Sequence, residues 1–413
     1  YRSANAGHGP VEFNAWRTSA STTISSSNTT SSAVVIRAYN NGGAASNFGV
    51  WGGGSSTTFD VDGGLIFEVD RIHASVAFVF DVAGPLVFKP YGTTLLNETS
   101  STSFELASQL AFTSNPSSIT VGSSTNTSPI VISENLQTTS GNIELLTSGA
   151  ISKTTTTLTA ASDLIINSRS GSVSTGSGAI SATSVRIEAG TTVALQGNIT
   201  AGPSGTLVRS GGRITGSAGA SAANPLLLSS RGGPITLWTT GLTGGVALGN
   251  WTQLNTTASG SSGADITIGG GVASLSDANR PSGPAQHSAA DGISLGTDPR
   301  TSVVVMRAGA GAISLNGHST GTGDFSGINL YPGNDLVGAR VNMRGVTGYN
   351  ALGEGGSGIF GYHNSSAKTV IHATASFATD TPAVQLYSES GSSWGSLFGP
   401  WVSSSTDGIT VRA

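Results

Sequence analysis

Between residues 292 and 360 the chain reads Gly292-Ile293-Ser294-Leu295, Val303-Val304-Val305-Met306-Arg307, Ala312-Ile313-Ser314-Leu315-Asn316-Gly317, Gly327-Ile328-Asn329-Leu330, Arg340-Val341-Asn342-Met343-Arg344-Gly345 and Gly358-Ile359-Phe360. Most of these phrases are built on an apolar-x-apolar triplet that a Gly, Ser, Asn or Thr soon follows. In extended backbone such a triplet points its outer two side chains one way and its middle one the other before the chain turns. That is the signature of a short half-buried strand, and it recurs upstream at Ile143-Glu144-Leu145, Val185-Arg186-Ile187, Val193-Ala194-Leu195, Ile235-Thr236-Leu237, Val246-Ala247-Leu248 and Ile266-Thr267-Ile268. Ile143, Leu164 and Val185 follow one another by 21 residues, and Ile293 and Ile313 by 20. Laps of roughly 25 to 35 residues with up to three strands each predict a parallel β-helix, in which a single coil cannot bury its own inner face and stacking supplies the core. With rungs about 4.8 Å apart, some ten to twelve coils are expected from about residue 117 onward. Helix signals are nearly absent, because no long window repeats its apolar residues at three- and four-residue spacing.

Composition fits an all-β chain. Of 413 residues only 10% are charged, against about 25% in an ordinary soluble protein. Ser and Thr together number 113 and Gly 59, so surface solvation falls to hydroxyls and bare backbone. A net charge of -4 offers no excess of cations for a phosphate backbone, which argues against nucleic-acid binding. Cysteine is absent, which removes disulfides and thiolate chemistry. The longest apolar run, Val76 to Phe80, is far short of a membrane span. The chain opens on Tyr1 without a basic, apolar leader, the expectation for a chain processed after secretion.

The N-terminal third reads differently, since 9 of the 13 Phe precede position 113. Phe59 to Val61, Leu65 to Val69, Val76 to Val82 and Leu86 to Phe88 read as consecutive strands joined by tight turns at Asp62-Gly63-Gly64 and Ala83-Gly84-Pro85. The expected organisation is an extended polar segment over 1–32, ordered by a neighbouring molecule if ordered at all. An N-terminal β-sandwich-like domain or cap follows over 33–115, then a parallel β-helix with an aromatic C-terminal end over 116–413.

The Gly-Ile-x-Leu, Val-x-Met-Arg and Ile-x-Leu-x-Gly phrases, with Gly317-His318-Ser319-Thr320-Gly321 between laps, resemble the large bacterial exoproteins of the filamentous-haemagglutinin type. The resemblance covers about residues 117 to 413. It implies a right-handed parallel β-helix on the cell surface, acting as a secreted filament subunit or adhesin.

Candidate chemistry is sparse. Asp60 and Asp62 suggest calcium ligands or a carboxylate pair for glycoside hydrolysis, but Asp-x-Asp-Gly lacks the third oxygen position and the closing Glu of an EF-hand loop. A hairpin turn at Asp62-Gly63 accounts for it more simply. A carbohydrate-active β-helix, lyase or hydrolase, is the rival reading and needs several acids with Lys or Arg on one face. The best local set is Asp291, Asp298 and Arg300 near His287, extended to Asp324. His287, Ser288 and Asp291 also evoke a triad, although adjacency in sequence is not triad geometry. An ice-binding Thr ladder is not supported, because the middle residues of the triplets (Glu144, Arg186, Ala194, Thr236, Ala247, Thr267, Ser294, Asn329, Asn342) form no regular series. Seven sequons, at Asn28, Asn97, Asn126, Asn198, Asn250, Asn255 and Asn364, are close to what 23 Asn in so hydroxyl-rich a chain give by chance. Tyr387, Trp394, Phe398 and Trp401 form the candidate partner or subunit contact, either as a plug over the last coil or as stacking groups for a sugar or a partner. The sequence thus predicts an extracellular, non-enzymatic protein without cofactor or metal. Its expected partners are copies of itself, with glycans or a neighbouring cell surface as further partners.

Overall fold

The computed structural model describes residues 21–38, 56–74, 77–97, 102–216, 221–271, 281–297, 303–321, 323–348, 356–361, 368–375 and 382–390. It adds the strand backbones Arg2–Ser3, Val11–Phe13, Trp16–Thr18, Val50–Gly52, Trp401–Ser404 and Ile409–Arg412. The fold is all-β. Among the described residues the single helical turn is a 3-10 turn at Ala258–Gly260, and no helix is long and apolar enough to cross a membrane. The chain forms two compact units, Tyr1–Thr183 and Ser184–Ala413.

In the first unit strands pair in parallel with their equivalents one lap later. One face stacks Thr22–Ser26, Thr57–Val61, Phe78–Val82 and Leu110–Phe112. A second stacks Val34–Ala38, Leu65–Val69, Leu86–Lys89, Ile119–Gly122, Ile143–Thr147 and Asp163–Ser168. A third stacks Phe104–Leu106, Ile130–Ile132, Ile151–Lys153 and Val173–Ser174. The predicted 21-residue step is present, with Leu65 opposite Leu86 and Ile143 opposite Leu164. Parallel strands separated by such laps are consistent with a β-helix.

The pairing corrects the hairpin reading of the N-terminal third. Residues 59–88 make no hairpins and no sandwich, because Phe59 lies opposite Phe80 and Leu65 opposite Leu86, both in parallel register. The segments at 62–64 and 83–85 are corners between faces, and they stack so closely that a Cβ on Gly84 would strike the backbone of Gly63. Alternation in sequence reports which face a side chain takes, not which strand it pairs with, so hairpin and coil looked alike. Nor does the strand Thr22–Ser26 need a neighbouring molecule to order it, since it pairs with Thr57–Val61 of its own chain. Pairing also continues through the composition change at 115, from Leu86–Lys89 to Ile119–Gly122.

What the Phe bias marks is the filling of the coils. Phe59 and Phe80 stack at 5.5 Å on one inner face, and Phe67 and Phe88 at 5.2 Å on the facing one. The two columns meet edge-on, at 5.3 Å between Phe59 and Phe67 and 5.6 Å between Phe80 and Phe88. Both geometries are favoured by the ring quadrupole. In later coils Ile, Leu and Val occupy these places, as Ile143, Leu145, Leu164 and Ile166 do.

In the second unit one sheet stacks Val193–Leu195, Ile214–Gly216, Val246–Leu248, Ile293–Leu295, Ile328–Leu330 and Ile359–Gly361. Two long strands, Ile199–Ser210 and Val304–Ser319, bend through a corner and serve two faces each. The first pairs with both Leu226–Ser230 and Ile235–Thr239. Thr252–Asn255 and Ile266–Gly270 continue those two stacks and meet again on Val304–Ser319. Pairing therefore closes into a six-strand ring. The ring is two coil faces joined at shared strands, each of its ladders being a parallel pairing of one lap on another. The lap from Ile266 to Ile313 is longer because it carries an inserted strand, Ala285–His287, which pairs with Gly317–Ser319.

The hydroxyl excess has a structural use. Strands of the main face often end on an inward Ser or Thr, where the corner below turns a carbonyl away from water. Thr147 Oγ1 donates to the Ser128 carbonyl at 2.6 Å and accepts the Gly149 N–H at 2.9 Å. One rung on, Ser168 Oγ donates to the Gly149 carbonyl at 2.6 Å. Ser210, Ser319 and Thr347 repeat the device on Thr191, Ala290 and Phe325. A short side chain that satisfies a buried backbone group is worth about 1 kcal/mol, and its loss costs about 1–3 kcal/mol.

Candidate functional site

Among the described residues of the second unit a lateral groove, of about 360 Å³, lies on the face carried by Ile266–Gly270, Val304–Ser319, Asp335–Thr347 and Val384–Ser390. Strict register builds its floor. Thr267 lies opposite Ser314, Ser314 opposite Asn342 and Asn342 opposite Gln385, so hydroxyls and amides form one outward column. Beside it runs a second column in which Asn316 faces Arg344, Arg344 faces Tyr387 and Tyr387 faces Arg412. Pro281 and Gly283 form the wall of the groove, and a Cβ on Gly269 would come within 2.9 Å of Pro281.

Tyr387 is 39% exposed, with the Arg344 guanidinium 5.4 Å from its ring centroid and its hydroxyl 3.2 Å from Glu389 Oε2. Arg344 reaches the same carboxylate at 4.0 Å, a contact too long and too exposed to neutralise it. Asn342 Oδ1 is buried without a hydrogen-bond partner. Of the aromatic residues singled out from the sequence, the structure thus places Tyr387 at the groove. Trp394 and Phe398 lie outside the described residues. Trp401 begins a strand that pairs with Val370, and its side chain is likewise outside them.

Among the described residues the acid sets do not assemble. Asp60 lies opposite Asp81 of the next coil on an exposed face, and no group of three or more His, Asp or Glu suited to a metal occurs among the described residues. Asp291 is spent on the coil above it, accepting Ser326 N–H at 2.7 Å and Asn329 Nδ2 at 2.8 Å. Burial raises its carboxyl above the usual range, against the lowering effect of those two bonds and of the Arg213 charge. His287 Nδ1 accepts the Ala289 N–H at 3.0 Å, and burial followed by the Arg213 charge lowers its pKa. The imidazole is thus committed to its own loop, and Asp291 is a brace rather than a triad member. Asp324 is exposed, and Asp298 and Arg300 lie outside the described residues.

The sequons prove to be largely corner devices. Asn28, Asn97 and Asn126 are buried, at 3%, 6% and 0% exposure, which leaves no room for a sugar in the folded chain. Asn28, Asn126 and Asn255 each accept the backbone N–H two residues on, in Asx turns whose Asn-x-Ser/Thr pattern is structural. Asn364 lies outside the described residues.

Sequence reasoning missed the groove because its floor is contiguous only in register. Thr267 and Ser314 belong to one column across a 47-residue lap, and nothing in local sequence fixes that offset. It also missed Trp238, an outward residue 3% exposed, which Arg209 covers at 4.8 Å and whose Nε1 donates to the Gly271 carbonyl at 2.9 Å.

No protein family, curated protein or solved structure matches the chain.

Proposed function

We propose that the chain is a secreted structural protein of the cell surface: a right-handed parallel β-helix that serves as a subunit of a self-assembling filament or adhesin and has no catalytic role. One observation carries this reading. Within each unit the parallel ladder repeats rung after rung over an apolar interior, while the outward residues vary and Asp291 is engaged in bracing the neighbouring coil.

The mechanism is mechanical. Strand-to-strand hydrogen bonds make each coil a template for the next, and the Phe59–Phe80 and Phe67–Phe88 columns add interlocking side chains in the N-terminal coils. Copies join through their ends, where a coil presents unpaired backbone groups to another strand. The resemblance of residues 117 to 413 to filamentous-haemagglutinin-type exoproteins supports an extracellular, surface-attached setting. Negative-stain electron microscopy of the purified protein over a range of concentrations tests the proposal. Filaments with a regular subunit repeat are the expected result, and isolated particles at every concentration would overturn self-assembly.

A further inference from the structure

The lateral groove supplies a ligand class for the adhesive role, on which this inference rests. We propose that the groove over Thr267, Ser314, Asn342 and Gln385 binds an acidic oligosaccharide, with Tyr387 as its stacking platform and Arg344 as its anion contact.

The position of the groove excludes the commonest use of a β surface. It lies on the face of the sheet, where the backbone groups of each rung are already paired above and below, so a peptide cannot add as a strand. Recognition must come from side chains. Those of the floor are two hydroxyls and two carboxamides, and each type both donates and accepts. A ligand dense in hydroxyl groups, itself donor and acceptor at every position, matches that surface better than an apolar ligand or a chain of phosphates.

Three further features point to a sugar with negative charge. Tyr387 offers a part-exposed ring beside the polar column, with the Arg344 guanidinium over it, a pairing of apolar ring and polar edge that suits a pyranose carrying an anionic group. Arg344 and Arg412 flank it on the rungs before and after, with the carboxylate of Glu389 nearby. Asn342 Oδ1 is buried without a partner, so rotating its amide to present that oxygen to a ligand breaks no hydrogen bond of the oxygen. A volume of about 360 Å³ falls within the range of small-ligand sites, roughly 300–1,000 Å³, and accommodates a few sugar units, with the floor column directing the chain along the coil axis.

The test is equilibrium binding by titration calorimetry, with a galacturonic-acid hexasaccharide as acidic probe and a cellulose-derived hexasaccharide as neutral probe. The wild type is compared with Tyr387→Ala, Arg344→Gln, Asn342→Ala and the remote Arg186→Ala. We expect saturable binding of the acidic probe, at least tenfold weaker in Tyr387→Ala and Arg344→Gln and unchanged in Arg186→Ala. Binding should weaken with salt for the wild type and less steeply for Arg344→Gln. No binding of the acidic probe, equal binding of the two probes, or equal loss in Arg186→Ala would each overturn the proposal. Unchanged circular dichroism and Tm in the three groove variants show that a loss is not unfolding. Filaments that ignore both probes would sink the groove and leave the structural reading standing, while particles that bind the acidic probe without polymerising would do the reverse.

Discussion

Lys153 offers the sharpest test of how these coils are held. Its side chain points inward at the end of Ile151–Lys153, is 5% exposed, and donates from Nζ to the carbonyls of Thr156 at 2.7 Å and Gly178 at 2.6 Å. Burial lowers its pKa from 10.5 to about 8. Between those two values the unfolded chain binds more protons than the folded one, so stability rises with pH across that window. The stabilisation is fully present above the unfolded value of 10.5 and is lost as pH falls through about 8. At 1.36 kcal/mol per pKa unit the full span is on the order of 3 kcal/mol, an upper bound because the two carbonyl bonds favour the charged form. Lys153→Met keeps the length and apolar stem, removes the titration and leaves two carbonyls without a donor. Urea denaturation of both proteins from pH 7 to 11 gives a difference curve in which the Tyr and the other two Lys residues cancel. The curve should be flat below about pH 8 and then move in favour of the wild type up to about pH 10.5. A curve flat throughout would refute the reasoning, because it would mean that the two carbonyls solvate the ammonium as well as water does.

Other consequences follow from the same packing. Phe80→Ala empties a site touching four aromatic rings and should cost about 3–5 kcal/mol in chemical denaturation, whereas a cost below about 1 kcal/mol would contradict an enclosed column. Thr147→Val removes a hydroxyl that both donates and accepts and should destabilise by about 1–3 kcal/mol. Thr239→Val, at an equivalent strand end whose hydroxyl is buried without a partner, should be neutral or stabilising, and equal losses in the two variants would dismiss the corner role. Asp81→Asn relieves a carboxylate directly opposite Asp60 and should raise Tm at low salt but not at 1 M salt, whereas a gain independent of salt would have another origin.

Much of this architecture was legible because strand periodicity and lap length are both written locally. Ile143, Leu164 and Val185 announce a coil simply by recurring, and the structure places Ile143 opposite Leu164 as that recurrence requires. Pairing partners were legible only where laps are uniform. Phe59 and Phe80 are 21 residues apart like the later rungs, yet the Asp-Gly-Gly and Ala-Gly-Pro segments between the strands carry the chemistry of hairpin turns, and local turn chemistry took precedence over the period. The groove was illegible for a different reason. Its floor depends on the register between Ile266–Gly270 and Val304–Ser319, which the inserted strand at Ala285–His287 displaces by an amount the sequence does not state. Tyr387 could be singled out because an aromatic residue in a Gly/Ser-rich stretch stands out by itself, whereas Thr, Ser, Asn and Gln in such a chain do not.

The scarcity of charge also follows from register. In a parallel stack each outward residue lies directly against its counterparts one coil before and after, about 4.8 Å away, so a column of one charge repels at every rung. Charge can therefore enter such a face in alternating columns, and several of the ion pairs do so. Glu68 sits between Arg37 at 2.8 Å and Lys89 at 3.5 Å, its neighbours on the preceding and following rungs. Burial pushes its carboxyl up, but the hydrogen bond from Arg37 and the charges of Lys89 and Arg37 outweigh this and hold it below the usual value. Glu188 likewise lies between Arg186 of its own strand at 2.8 Å and Arg209 of the following coil at 3.9 Å. Ser, Thr, Asn and Gln carry no such restriction, since their hydrogen bonds stack in either sense, and Gly is required where corners touch, as at Gly63 and Gly84. A chain selected to stack many coils is thereby driven to 10% charge and 113 hydroxyls by geometry, whatever its outer surface binds. Arg344 and Arg412 depart from the pattern around Glu68, because they flank Tyr387 without an acid between them in their own column. A departure of that kind is expected where an outside anion, rather than a neighbouring rung, supplies the opposite charge.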